Sequence, residues 1–367
     1  MIYLDYAANY PVKKEVLEEL NNVELNYYGN ANSLHKMGMY SHNELEKLES
    51  NIRNTLKISD NYDIIYTSSA SEANNLAIKG IAYSYNGFGK HILISGYEHN
   101  SVEASVSYLK NNGYEIDIIK NNSNGKVDLI DLKDKLRNDT ILVCIIMVDS
   151  ELGAYNNPKE INEILKDYPN CHLLMDSTQA VCKFDIDFNE IEMTSFTPHK
   201  FGGLVGTGVL IKRKSTILIP LIHGGKSNTI YRAGSIPLGL IASISKSIEI
   251  GYKNIEENVK YVTMLNQYFK SNISNIKNIV INSFDCPYII NISILDKKAS
   301  DVVKYLSDND ICVSQKSACS ITNTPSKAVM SVYKDRKRAN SSFRISISEL
   351  TKKEELDYLI IKLKELL

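Results

Sequence analysis

The feature that most constrains the fold is an alternation of apolar strand-like runs with helix-period stretches through the first two-thirds of the chain. The runs are 63–67, 91–95, 115–119, 141–148, 172–176, 191–196 and 209–212. Helix-period stretches at 71–85, 101–111, 129–136 and 159–165 lie between them. Such alternation predicts an α/β unit around a largely parallel sheet. The strands at 191–196 and 209–212 have no helix between them, so the sheet is expected to be mixed. From about residue 236 one long helix is predicted to about residue 270. Short strands at 279–282, 288–294, 311–313 and 343–348 follow, with helices at 299–306 and 352–367. This second pattern reads as a smaller α+β unit, with a ligand cleft between the two.

Composition narrows the class. The 367 residues include 43% hydrophobic and 23% charged side chains, the profile of a globular protein long enough for about two domains. Lys and Arg (42) balance Asp and Glu (43) to a net charge of −1, which gives no electrostatic footprint for nucleic acid or an anionic membrane. No apolar run approaches a membrane span, and the start Met1-Ile2-Tyr3-Leu4-Asp5 lacks the pattern of a signal peptide. The six cysteines have no C-x-x-C pair, so free thiols, a reducing cytoplasm and no structural metal are expected.

Four segments carry chemistry. Thr67-Ser68-Ser69-Ala70-Ser71-Glu72 follows a strand and opens a helix, where backbone N–H groups and the Ser71 hydroxyl suit a phosphate. By itself it also reads as an ordinary serine N-cap. Asp176, in 173-LLMDSTQ-179, ends an apolar strand, where a carboxylate pairs with a protonated heterocycle or caps the next helix. Lys200, in 194-TSFTPHKFGG-203, lies beyond a strand, beside His199 and before glycines. A desolvated lysine there suits Schiff-base chemistry, while an exposed one is only a loop lysine. Cys319, in 317-SACS-320, is in a polar, small-residue segment leading into an expected loop at 321–326. It is a candidate nucleophile or an incidental surface thiol. The other cysteines lie mostly in apolar runs and read as packing.

Taken together and in this order, these segments resemble the NifS/IscS-type cysteine desulfurases, pyridoxal-phosphate enzymes of aminotransferase class V with the fold type I architecture. The resemblance extends from Tyr3-Leu4-Asp5-Tyr6-Ala7-Ala8 through Gly29-Asn30, Ser33-Leu34-His35, Glu98-His99, Asp176–Gln179 and His199-Lys200. It continues through His223-Gly224-Gly225, Arg232–Ser235 and Ser317–Ser320 to Ser342-Phe343-Arg344. It implies a large cofactor-binding domain at 11–250, with a mixed, mostly parallel sheet flanked by helices. A smaller α+β domain would be formed by 1–10 and 251–367.

The resemblance also implies roles. Lys200 is the lysine that joins pyridoxal 5'-phosphate covalently and moves protons at the substrate Cα. Asp176 pairs with the pyridinium nitrogen, His99 stacks on the ring and assists proton transfer, and Gln179 bonds its phenolic oxygen. Ala70, Ser71, Thr197 and His199 hold the phosphate, and Ser235 reaches the phosphate of a neighbouring subunit in a homodimer. Ser150 stands at a cofactor- and substrate-contacting position, and Arg344 binds the substrate carboxylate. Cys319 attacks the sulfur of L-cysteine, leaving L-alanine and a persulfide for a sulfur-acceptor protein, as in iron–sulfur cluster biosynthesis. Neither nucleic acid nor membrane is an implied partner.

Several positions depart from the family pattern. Asn9-Tyr10 stand where Thr-Thr is usual, Asp149-Ser150 where Asn-Asn is usual, and Ser348-Glu349 where Gly-Arg is usual. Lys226-Ser227-Asn228 replace Gly-Gln-Glu, and Thr197-Pro198 replace Ser-Gly. The alternatives that stay open are a selenocysteine lyase, another pyridoxal-phosphate lyase or aminotransferase on the same scaffold, and a non-catalytic subunit of a sulfur-transfer complex.

Overall fold

The computed structural model describes residues 1–225, 227–316 and 324–367. After strand β1 (Ile2–Tyr3) come two helices, α1 (Lys14–Asn26) and α2 (Lys36–Leu56). Then strands and helices alternate: β2 (Tyr62–Thr67), α3 (Ala70–Ser84), β3 (His91–Ser95), α4 (Asn100–Lys110), β4 (Glu115–Ile119) and α5 (Leu129–Lys135). The pattern goes on with β5 (Thr140–Ile146), α6 (Pro158–Leu165), β6 (His172–Asp176), β7 (Met193–Phe196) and β8 (Gly208–Arg213).

Strands β2 to β8 form one seven-stranded sheet in the order β2-β8-β7-β6-β5-β3-β4. Strand β8 runs antiparallel to both β2 and β7, and the remaining neighbours are parallel. The sheet is therefore mixed for the reason expected: the short link between β7 and β8 has no crossover helix to turn the chain back. Strands β5 and β6 are buried along their whole length, which is why they read as unbroken apolar runs.

The helix expected over 236–270 is two helices, α7 (Leu238–Lys253) and α8 (Ile255–Ile273), broken at Asn254. The two have different partners. Helix α7 packs on α1 and α2, while α8 packs on α12 (Lys353–Leu366) near the end of the chain. One straight rod cannot bury both apolar stripes, and Asn254 leaves helical geometry at φ −122°, ψ 25° to let them diverge.

The rest of the chain supplies β9 (Ile279–Ile281), β10 (Ile289–Ile294), α9 (Ala299–Asp308), β11 (Ile311–Cys312), α10 (Lys327–Tyr333), α11 (Arg336–Ser341) and β12 (Ser342–Ser346). Strands β12-β10-β9 make a three-stranded antiparallel sheet. Strand β1 pairs with β11, so the first residues of the chain lie beside its last third. Among the described residues no helix is long and apolar enough to cross a membrane.

Candidate active site

A cavity of about 180 Å³ opens where β5, β6 and β7 end. Most of its polar residues come from segments at or just beyond the end of a strand in the large sheet, the edge at which such sheets present ligands. Asp176 is the last residue of β6 and is 3% exposed. Its Oδ2 accepts from Asn74 Nδ2 at 2.9 Å and its Oδ1 from the backbone N–H of Thr178 at 3.0 Å. Asn74 is itself saturated: Nδ2 also donates to Ser101 Oγ at 2.9 Å, and Oδ1 accepts from Ser195 Oγ at 2.5 Å. The carboxylate is thus buried and held by neutral donors, and among the described residues no cation pairs with it. A buried anion in that state is suited to a cationic N–H.

His99 caps α4 and lines the same cavity. Its Nδ1 accepts from the backbone N–H of Ser101 at 3.1 Å and lies 2.8 Å from the Ser101 hydroxyl. A backbone N–H can only donate, so Nδ1 carries no proton and Nε2 is the protonated nitrogen of the neutral ring.

Lys200 ends a 3₁₀ turn, Pro198–Lys200, beyond β7, and its Nζ donates to the Ala8 carbonyl at 2.6 Å. Thr197 gives its hydroxyl proton to the Thr207 carbonyl at 2.7 Å. It therefore accepts from His199 Nδ1 at 2.8 Å, which fixes the His199 proton on that nitrogen. Burial first, then the charge of Lys200, pushes His199 down to about 4. Ser69, Ala70 and Ser71 line the cavity at the start of α3, where Ser69 is the N-cap and accepts from Glu72 N at 3.2 Å. Strand β8 lies against this turn. A Cβ on Gly208 would come within 2.2 Å of the Ser69 carbonyl carbon, so only glycine fits there.

Arg344, on β12, brings the other sheet into the cavity at 1% exposure. Its Nη2 pairs with Asp5 Oδ1 at 2.9 Å and its Nη1 donates to the Ser150 carbonyl at 2.9 Å. The Nε–H is buried with no partner among the described residues, a donor left for an incoming acceptor. Gln179 is 4% exposed, with Nε2 donating to the Ala7 carbonyl at 2.9 Å.

The site residues named from sequence thus divide into three groups. Ala70, Ser71, His99, Ser150, Asp176, Gln179, Thr197, His199, Lys200 and Arg344 all line this one cavity. Ser235 lies apart, exposed in a surface groove with Tyr28, Gly29 and Asn30. Cys319 lies outside the described residues, as does Lys226.

Sequence reasoning missed Asn74, Asp5 as the Arg344 partner, and the carbonyls of Ala7 and Ala8. For Asn74 a signal existed. It sits among Ala70, Ala73, Ala77, Ile78 and Ile81 on the buried stripe of α3, where a lone polar residue needs a polar partner.

Two departures from the family pattern meet in space. The Tyr10 hydroxyl donates to Glu349 Oε1 at 2.7 Å, and Lys13 pairs with the same carboxylate at 3.7 Å. The altered residues Tyr10 and Glu349 are thus one cluster. Asp149 is a third departure. It is 2% exposed and accepts from the backbone N–H groups of Glu151, at 3.1 Å, and Leu152.

Burial first, then the charge of Glu151, pushes Asp149 up to about 7. A carboxyl raised in the folded state contributes stability that is whole below its unfolded value, about 4, and is lost as pH rises through about 7. Asn at this position accepts the same N–H groups with no charge. D149N is therefore expected to unfold like the parent below pH about 4, and to be more stable by on the order of 2–4 kcal/mol above about 7. Urea unfolding on both sides of that window checks it, and equal stabilities at high pH count against a buried charge.

Comparison with known proteins shows the family of the chain. The aminotransferase class-V family matches residues 2–359. The cysteine desulfurase IscS of Dictyoglomus turgidum is 32% identical over 100% of this chain and 94% of that protein. Among solved structures, a NifS-like protein superposes with a TM-score of 0.92 at 27% identity, covering 100% of this chain and 98% of the other. The structure of SspA in complex with cysteine gives a TM-score of 0.83 at 27% identity, covering 96% and 100%. A match over nearly the whole chain, in both sequence and fold, means that this protein belongs to the aminotransferase class-V family, among its NifS/IscS-type cysteine desulfurases.

Proposed function

We propose that this chain uses pyridoxal 5'-phosphate to convert L-cysteine to L-alanine, and that it leaves the sulfur as a persulfide on Cys319 for a sulfur-acceptor protein. The observation that carries the reading is one cavity holding three complementary groups. These are buried Asp176 held by neutral donors, Lys200 on the wall of the same cavity, and Arg344, whose buried Nε–H has no partner among the described residues.

The residues present fit the cofactor. Asp176 would hold a protonated ring nitrogen, Gln179 and His99 would flank the ring, and the start of α3 with Thr197 and His199 would receive the phosphate. When bound, pyridoxal phosphate supplies an electron sink for a bond broken at the substrate Cα.

The chain's own groups do the rest. Arg344 holds the substrate carboxylate and fixes which Cα substituent faces Lys200. Lys200, tethered to the Ala8 carbonyl, moves the proton at Cα. The Cys319 thiolate forms an S–S bond to the substrate sulfur while the substrate C–S bond breaks, and the former Cβ takes up a proton to become the alanine methyl. Sulfur is oxidised and carbon reduced within the same step, so no outside oxidant is needed.

Ser235 is read as serving a second copy of the chain. It lies outside its own cavity, in a groove lined by Tyr28, which is 74% exposed. The described cysteines carry free thiols, in keeping with a reducing cytoplasm.

The test is turnover of L-cysteine by the cofactor-loaded protein with a reductant present. Alanine and sulfide are expected in equal amounts. Loaded protein that forms neither would contradict the reading.

A further inference from the structure

Behind the cavity just described lies a buried cation that the proposed chemistry does not use. Lys183 is 7% exposed and sits four residues beyond Gln179 in the turn that follows β6. Its Nζ donates to Gln179 Oε1 at 2.6 Å. Around it, in a second small cavity that Lys200 also borders, are Tyr10, Lys13, Cys182, Tyr288 and Glu349. No carboxylate forms an ion pair with Lys183 among the described residues, and burial pushes it down to about 8. An apolar side chain of similar length would fill this space without the cost of burying a charge. The ammonium therefore points to a task beyond stability.

The task follows from the chemistry of the amide. An ammonium has donors and no acceptor, so the Gln179 atom it meets must be oxygen. A backbone carbonyl only accepts, so the atom facing Ala7 O at 2.9 Å must be nitrogen. The carboxamide is clamped at both ends and cannot turn over. One N–H remains uncommitted, on a side chain that lines the main cavity. Without Lys183 only the bond to the Ala7 carbonyl opposes a turn of the amide, and the turned orientation exchanges its donor and acceptor ends.

We propose that Lys183 is a positioning residue: it locks the Gln179 carboxamide so that a donor, and not an acceptor, meets the phenolic oxygen of the cofactor. This rests on the reading of the cavity as a pyridoxal phosphate site.

The experiment is a pH titration of the visible absorption of the pyridoxal phosphate-loaded protein, which reports the protonation of the bound chromophore and not turnover. A donor at the ring oxygen favours its deprotonated form, so losing the donor moves the midpoint up. K183M is expected to raise the midpoint by about one unit, a tenfold change in the proton equilibrium. K183R, which keeps a donor for Gln179 Oε1, is expected to hold the parent midpoint. In a Q179L background K183M is expected to add nothing, because the residue through which it acts is gone. K183L deletes the same donor with a different shape, so one folded member of the K183M and K183L pair suffices.

An unmoved midpoint in the folded variant would overturn the proposal. So would an equal shift in the Q179L background, which would mean that Lys183 acts by its charge through space. Parent protein that develops no visible band would overturn the cofactor reading and this inference together, whereas a band with an unmoved midpoint overturns this inference alone.

Discussion

Lys200→Ala is expected to lower the rate of alanine formation by roughly 10⁴-fold, the upper range for losing a positioned acid–base group. The cavity should survive the change, because Lys200 is only partly buried and its Nζ bonds a backbone carbonyl, that of Ala8 at 2.6 Å, on the cavity wall. Lys200→Arg separates charge from chemistry. Arginine keeps a cation at this position but does not give up its proton in a protein. It is expected to be as inactive as the alanine variant. A K200R protein with substantial turnover would mean that charge alone accounts for the residue. Borohydride reduction of cofactor-loaded protein gives the companion result: a cofactor mass fixed on the Lys200 peptide in the parent and none in either variant.

Asp176→Asn is expected to cost roughly 10²–10³-fold in turnover, the size of losing one preorganised electrostatic contact. The folded structure should tolerate it. Asn keeps one acceptor, for Asn74 or for the Thr178 N–H, and Asn74 retains its bonds to Ser101 and Ser195. What is lost is the negative charge that, on the proposed reading, pairs with the ring nitrogen. The effect should therefore fall on turnover more than on thermal stability, which steady-state kinetics beside a melting curve will separate. A variant with unchanged turnover would remove Asp176 from the chemistry.

Much of this site was legible before any coordinates. The strands that carry it are buried on both faces, so they appear in sequence as apolar runs, and Asp176, the polar residue that ends one of them, marks the edge where ligands bind. Strands β3, β4 and β6 fall within the runs read from sequence, residue for residue.

What was not legible is held by pairs remote in sequence. Asn74 meets Asp176 across 102 residues, and Arg344 meets Asp5 across 339. No local pattern reports such pairs. The two conspicuous departures at Tyr10 and Glu349 look independent along the chain, yet they share one hydrogen bond. Helices α1 and α2 leave a weak trace in the sequence because their apolar residues are spread thinly. Only Val16 and Val23 are buried in the first, and polar Ser41 and Glu44 share the buried side of the second. The break at Asn254 was hidden for a different reason: both helices keep an apolar stripe, and only the change of packing partner separates them.

The central claim is that sulfur passes from the substrate to Cys319. The most direct test is the mass of the peptide carrying Cys319 after cofactor-loaded protein meets L-cysteine without a reductant. The account predicts a gain of one sulfur on that peptide, matched by an equal amount of alanine and absent from Cys319→Ala. Alanine formed with no sulfur on Cys319, or sulfur gained instead on another cysteine such as Cys312, would contradict it.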